Sequence, residues 1–239
     1  PRTEAAKVPA ARRPPEPRPA DTAGASAQRQ YEKLSARHEQ QVRQRHPWIG
    51  GLLLALNDEP TRVRVWAQGA AGERAVGKAL ESLDQDQTHV LHDRCMRRED
   101  GRLSRANIDH LVVVPTGVWV VDAKTHTGKL EVRYSGGFFS PRTAKLLIAG
   151  RDQTKLLTGL ARQLGVVKDA LGARFPEVPV LGALCFVGTD LPWTATEVDG
   201  IPLVGPRGLR KRLRRPGPLD SQTRTSVADL LDTHFPPAR

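Results

Sequence analysis

The sequence predicts an α/β fold, a central mixed β-sheet flanked by helices. Two observations carry this. First, β-branched segments bounded by turn residues alternate along the chain with segments of helical spacing. Second, the clearest examples of each lie close together. Asn107 to Val114 and Gly117 to Lys124 read as adjacent strands joined through Pro115-Thr116-Gly117. Thr154 to Leu171 reads as a helix, with Leu156, Leu160, Leu164, Val167 and Leu171 on one face.

In chain order, residues 1 to 27 are rich in Pro, Ala and Arg and read as a disordered basic tail. Residues 28 to 66 form a helical N-terminal extension. Its polar helix, residues 28 to 45, carries Tyr31, Leu34, His38 and Val42 as a thin stripe and is a candidate docking helix for a protein partner. His46-Pro47 ends it. Ile49 to Leu56 is a short apolar segment that needs cover. The main domain spans residues 67 to 190. Gly69-Ala70-Ala71-Gly72-Glu73 opens a helix with Val76, Leu80 and Leu83 on its apolar stripe. A strand follows near Thr88 to Asp93, then the two adjacent strands, then a strand at Lys129 to Tyr134. Gly136-Gly137 makes a turn before Phe138 and Phe139. After the Thr154 helix, Val178 to Val187 reads as a buried strand. Residues 191 to 239 form a C-terminal extension: a strand at Ile201 to Val204, a basic run, and a closing helix at Ser221 to Leu231.

The chemistry sits on the adjacent strands. Residues two apart on a strand share a face, so Asp122 and Lys124 project together, above Val118 and Val120. Asp109 on the neighbouring strand points to the same end of that face. Two carboxylates and an ammonium on an apolar surface are costly unless paired. Converging carboxylates hold a divalent cation such as Mg²⁺ or Mn²⁺, and a lysine beside them steadies developing negative charge. That set suits metal-assisted phosphodiester hydrolysis; the same residues also read as a same-face ion pair with Asp109 capping a turn. Glu73 falls on the buried stripe of its helix. It reads either as a first-turn acid favoured by the helix dipole or as a third acid reaching the site. Alternation points His110 away from Asp109, as a packed or hydrogen-bonded core residue, while His126 shares the side of Lys124 if the strand persists.

Gly72-Glu73, Asn107-Ile108-Asp109-His110, and Val121-Asp122-Ala123-Lys124 followed by Gly128 together resemble the NERD (nuclease-related) domain. That family belongs to the restriction-endonuclease-like, PD-(D/E)xK superfamily. The resemblance covers about residues 69 to 188, half of the chain. It implies a restriction-endonuclease-like sheet, with Glu73, Asp109 and Asp122 as acidic metal-site residues and Lys124 as the catalytic lysine. Gln163, at the edge of the later helix's stripe, resembles the polar residue that many of these nucleases carry there. Two positions depart from the superfamily pattern. Ile108 stands where it has proline, as is usual for NERD sequences, and the second acid is Asp122 rather than Glu; neither removes a ligand type.

Composition agrees with one small enzyme domain plus extensions. The formal net charge is +11 and the pI near 10.3, which points to a polyanionic partner. DNA is the expected substrate, with RNA as the alternative. Arg207, Arg210, Lys211, Arg212, Arg214 and Arg215 form the densest basic run and the leading set for phosphate contact. Arg94, Arg97, Arg98, Arg102 and Arg105 form a second cluster before Asn107. Aromatic residues, 5% of the chain, are too sparse for a base-stacking platform. Two distant cysteines suggest neither zinc nor a disulfide framework and fit a reducing cytoplasm. No 18-residue apolar run is present, so no membrane partner is expected, and the Pro-rich start lacks the apolar stretch of a secretory signal. The alternatives to a nuclease are a catalytically weak nucleic-acid-binding module of the same fold and a protein-interaction domain.

Overall fold

A computed structural model of the chain describes residues 22–45, 61–97, 101–137, 140–194 and 196–238. The elements in order are α1 (Ala25–Arg45), α2 (Thr61–Glu81), β1 (His89–Arg97), β2 (Leu103–Val114), β3 (Gly117–Gly137), β4 (Ser140–Ile148), β5 (Arg151–Asp152), α3 (Lys155–Leu171), β6 (Val180–Asp190), β7 (Thr196–Val198), β8 (Ile201–Val204), α4 (Pro206–Leu213) and α5 (Ser221–His234). The strands form an eight-stranded sheet in the order β1-β2-β3-β6-β8-β7, with β4 and β5 branching from β3. Pairing is antiparallel from β1 to β3 and parallel from β3 through β6 to β8. This is the expected central mixed sheet between helices. Parallel neighbours need a crossover, and α3 supplies the one between β3 and β6.

Two apolar layers cover the sheet. Val118, Val120, Leu184 and Phe186 pack with Leu157, Leu160 and Val167 of α3 and Val227 and Leu231 of α5. On the other side Val112, Val114, Val121 and Ala183 pack with Val76 and Leu80 of α2 and Leu209 and Leu213 of α4. Each helix presents the apolar stripe its spacing implies. The start of β3 requires glycine. Gly117 has φ 135°, and a side chain there would collide with the Pro179 carbonyl, beside the hydrogen bond that Val118 donates to that oxygen at 2.8 Å. Gly117→Ala is therefore expected to lower stability by about 3 kcal/mol, from backbone strain and overpacking together. An urea melt checks this, and an unchanged midpoint would remove the argument.

Several boundaries differ from expectation. The helix carrying Glu73 starts at Thr61, two turns before Gly69. The segments expected as separate strands at Gly117 to Lys124 and Lys129 to Tyr134 are one strand of 21 residues, β3; its pairing with β6 continues across an irregularity between Thr125 and Gly128, and β4 takes over from Leu130. β4, which the sequence reading omitted, pairs with the far half of β3. α1 begins at Ala25, ahead of Gln28. Most of the expected tail, the apolar segment Ile49 to Leu56, Arg98, Phe138 and Phe139 lie outside the described residues.

Candidate active site

The site forms where β2 and β3 part. Their ladder runs from Val114↔Gly117 to His110↔Val121 and ends there. Beyond that point β2 keeps its pairing with β1, through Ile108 and Asn107, while β3 keeps its pairing with β6, through Asp122, Ala123 and Lys124. The fork leaves the Ala123 N–H without a strand partner, and a buried N–H must find an acceptor. The Asp109 carboxylate supplies it, Oδ2 accepting from Ala123 N at 2.8 Å.

Asp122 and Lys124 share a face, as alternation requires. Lys124 Nζ donates to Asp122 Oδ1 at 2.7 Å and to the Ala123 carbonyl at 3.1 Å, and lies 3.8 Å from Asp109 Oδ2. One ammonium thus serves two carboxylates. Burial, then the Asp122 charge, push the Asp109 carboxyl well above the usual carboxylate range, against the opposing pull of Lys124. Burial pulls the Lys124 ammonium down, but Asp109 and Asp122 outweigh it and hold it above its ordinary value. Gln163 on α3 has a buried Oε1 without a hydrogen-bond partner. Among the described residues, no three His, Cys, Asp or Glu side chains are grouped as a ready-made metal cage.

Glu73 reaches this charge cluster from the opposite side of the sheet. It lies deep within α2, whose first turn holds no acid, so the helix-dipole reading of Glu73 does not apply. Burial first, then Asp93, raise its carboxyl to about 7, with smaller effects from Lys124, which lowers it, and Asp122, which raises it. Gly72 permits the approach. A methyl there would collide with Thr125 Oγ1 of β3, which itself donates to the Gln68 carbonyl at 3.1 Å. α2 therefore touches β3 one residue past Lys124.

The sequence reading missed a polar knot beside Glu73. Asp93 on β1 has φ 51° and is 2% exposed. Its carboxylate accepts from the Ser26 N–H and Oγ at the start of α1 and from Asn107 Nδ2 at 3.0 Å. Gly24, just before α1, lies against Ala70 and Glu73. A buried carboxylate capping a helix is sound chemistry, but nothing in the spacing of Ser26 and Asp93 signals it. His110 meets its expectation. It is buried, with Nδ1 2.8 Å from His92 Nδ1, and burial and the His92 neighbour keep it far below the usual histidine range. The His126 carbonyl accepts from Thr189 Oγ1 at 2.8 Å, and burial, Lys124 and Lys155 lower the ring's pKa.

The basic residues of the two clusters have different surroundings. Arg94 is no surface residue: it is 1% exposed and donates to Asp232 Oδ1 at 2.6 Å and the Phe235 carbonyl at 3.2 Å, tying β1 to α5. In α4, Arg210 donates to Ser82 Oγ, and Arg214 just beyond it donates to the Ser82 carbonyl, both at 3.3 Å. Arg212 lies 3.6 Å from Glu197. Arg207, Lys211 and Arg215 are exposed.

Residues 68–187 match the NERD, nuclease-related domain, family. The chain belongs to this family. The matched span holds Glu73, Asp109, Asp122, Lys124 and Gln163. The NERD chain is also 33% identical over 82 residues to an uncharacterized protein of Bacillus anthracis, a match over 32% of this chain and 38% of that protein. The match thus spans little more than a third of the length of that curated relative. No solved structure matches the chain. Among the described residues, no helix of this NERD protein is long and apolar enough to cross a membrane.

Proposed function

We propose that this NERD protein is a divalent-metal-dependent nuclease that hydrolyses phosphodiester bonds in DNA. The observation that carries the reading is the strand fork, where two carboxylates converge on one lysine ammonium at 2.7 and 3.8 Å. The donor set suits a hard cation, since all candidate ligands are carboxylate oxygens and the charged form of Asp109 is disfavoured by burial and by Asp122, which a cation offsets. Asp109 and Asp122, with Glu73 directly or through water, would hold Mg²⁺ or Mn²⁺. Such an ion, when bound, supplies charge neutralisation at the scissile phosphate and a more acidic water. Lys124 orients that water or stabilises the pentacovalent phosphate charge. The family resemblance gives Gln163, whose buried Oε1 has no hydrogen-bond partner, the role of a polar group that would help position the water. The free, buried thiols of Cys95 and Cys185 suit a cytoplasmic setting.

A second reading, a nucleic-acid-binding module without turnover, draws on the tight Lys124–Asp122 ion pair and on the lack of a closed ligand cage among the described residues. Calorimetric titration of Mg²⁺ or Mn²⁺, run beside cleavage of plasmid and oligonucleotide substrates, separates the two. The nuclease reading expects metal binding that Asp122→Ala abolishes, together with metal-dependent cleavage. Nucleic-acid binding with no cleavage of DNA or RNA by either metal form would establish the binding module instead.

A further inference from the structure

β3 does not end at the candidate site. Past Lys124 it continues to Gly137 and pairs with β4, forming a two-stranded arm. Leu130, Leu146 and Ile148 are buried on the inner side of this arm, whereas the Lys129 and Arg133 side chains are 76% and 69% exposed. The register sets Arg133 directly opposite Lys145. Like charges in facing positions destabilise a hairpin, so folding gives no reason for the pair. Glu131 lies 3.3 Å from Lys129 and 3.1 Å from Arg133, and neutralises one of them. Asp152 lies near Lys145. An excess remains, for residues 129 to 155 hold six basic residues against two acids. Lys155 opens α3 and acts, after burial and Lys124, on the His126 ring, so one more cation lies near the root of the arm.

We infer that the β3–β4 arm is the surface on which the phosphate backbone of a nucleic acid lies, with Lys129, Arg133 and Lys145 contacting phosphates. The inference rests on the nuclease reading of the fork and names how its substrate is held. Arg133 stands nine positions beyond Lys124, at most about 30 Å at the rise of a strand, since the irregularity between Thr125 and Gly128 bends the path. That bound lies within one turn of duplex DNA, about 34 Å. Because the arm and the fork share one strand, a backbone on the arm keeps a fixed relation to Asp122 and Lys124. Trp193, fully exposed, follows closely after Asp190, the partner of Lys129; it offers a stacking face at the root of the arm.

The test uses the full chain without divalent metal, so that binding is read apart from turnover. Fluorescence anisotropy follows a labelled DNA duplex, and an RNA duplex in parallel, across a fourfold rise in KCl. The triple variant Lys129→Gln/Arg133→Gln/Lys145→Gln is expected to flatten the slope of log affinity against log salt by about 2.7, so its affinity falls about 40-fold less than wild type over that rise. Glu131→Gln is expected to tighten binding several-fold, a gain that no folding defect imitates. The comparator, the α4 variant, is Arg207→Gln/Lys211→Gln/Arg215→Gln, on α4 and just past its end. A wild-type slope in the arm variant overturns the inference, as does a loss confined to the α4 variant or a wild type that binds neither duplex. If wild type cleaves DNA while the arm variant binds like wild type, the arm fails and the nuclease reading stands. If wild type binds through the arm but never cleaves, the arm stands and the nuclease reading fails.

Discussion

Lys124→Ala is expected to lower metal-dependent DNA hydrolysis by a factor of about 10² to 10³, the usual cost of one preorganised charge contact in the transition state. The fold should survive, since Lys124 is 25% exposed and Asp109, already pushed toward its neutral form by burial and Asp122, can take up a proton when the ammonium is removed. Asp122→Asn and Asp109→Asn should cause losses of the same order. Asparagine is the better replacement at Asp109, because its carbonyl can still accept from the Ala123 N–H. Alanine there would add about 1–3 kcal/mol of destabilisation by orphaning that donor, confusing stability with chemistry. Single-turnover rates at saturating DNA, paired with thermal melts, make the measurement. A Lys124→Ala protein that cleaves at the wild-type rate would show that the lysine only balances charge.

The second large effect is on stability against pH. Burial and the Asp93 charge raise the Glu73 carboxyl from 4.5 to about 7. Between these values the native protein keeps a proton that the unfolded chain has released, so Glu73 makes stability fall as pH rises through that window. The loss is on the order of 3 kcal/mol once pH exceeds 7, at about 1.4 kcal/mol per pKa unit. His92, lowered to about 4 by burial and Arg94, has the opposite sign: its stability term grows as pH rises toward 6.5. The quantity to measure is therefore the difference between wild type and Glu73→Gln in urea melts at pH 5 and pH 8 without metal. Glu73→Gln should gain relative to wild type at the higher pH. The same fork predicts that Mg²⁺ or Mn²⁺ raises the wild-type melting temperature most above pH 7, where Glu73 is charged. A pH-independent difference would place Glu73 outside the charge cluster.

Much of the fork was legible in the sequence because its signals are local. Period-two alternation places Asp122 and Lys124 on one face of a single strand, and a short connection makes Asp109 their neighbour on the next. Helical spacing marks the stripes of α2 and α3, and β-branched runs mark β2, β3 and β6. These patterns also send His110 to the far face, where it meets His92.

Local patterns are silent on contacts made across long sequence distances, and there the tertiary structure decided. The Ser26–Asp93–Asn107 knot joins three elements, with 67 positions between the first two residues. No periodicity encodes a cap supplied from so far away. Arg94 reads as a surface cation, yet its guanidinium is spent on Asp232 of α5 and the carbonyl of Phe235 just past it, 138 and 141 positions along the chain. Likewise, Arg210 of α4 and Arg214 just past it each donate to Ser82 beyond the end of α2, because Leu209 and Leu213 draw that helix onto the sheet. What the residue order determined by itself is which side chains share a face and which segments become strands or helices, since those follow from the 2.0 and 3.6 periods of the backbone. Which charges are left for a ligand was decided only by packing, because an ionic group seeks whatever partner burial brings within reach.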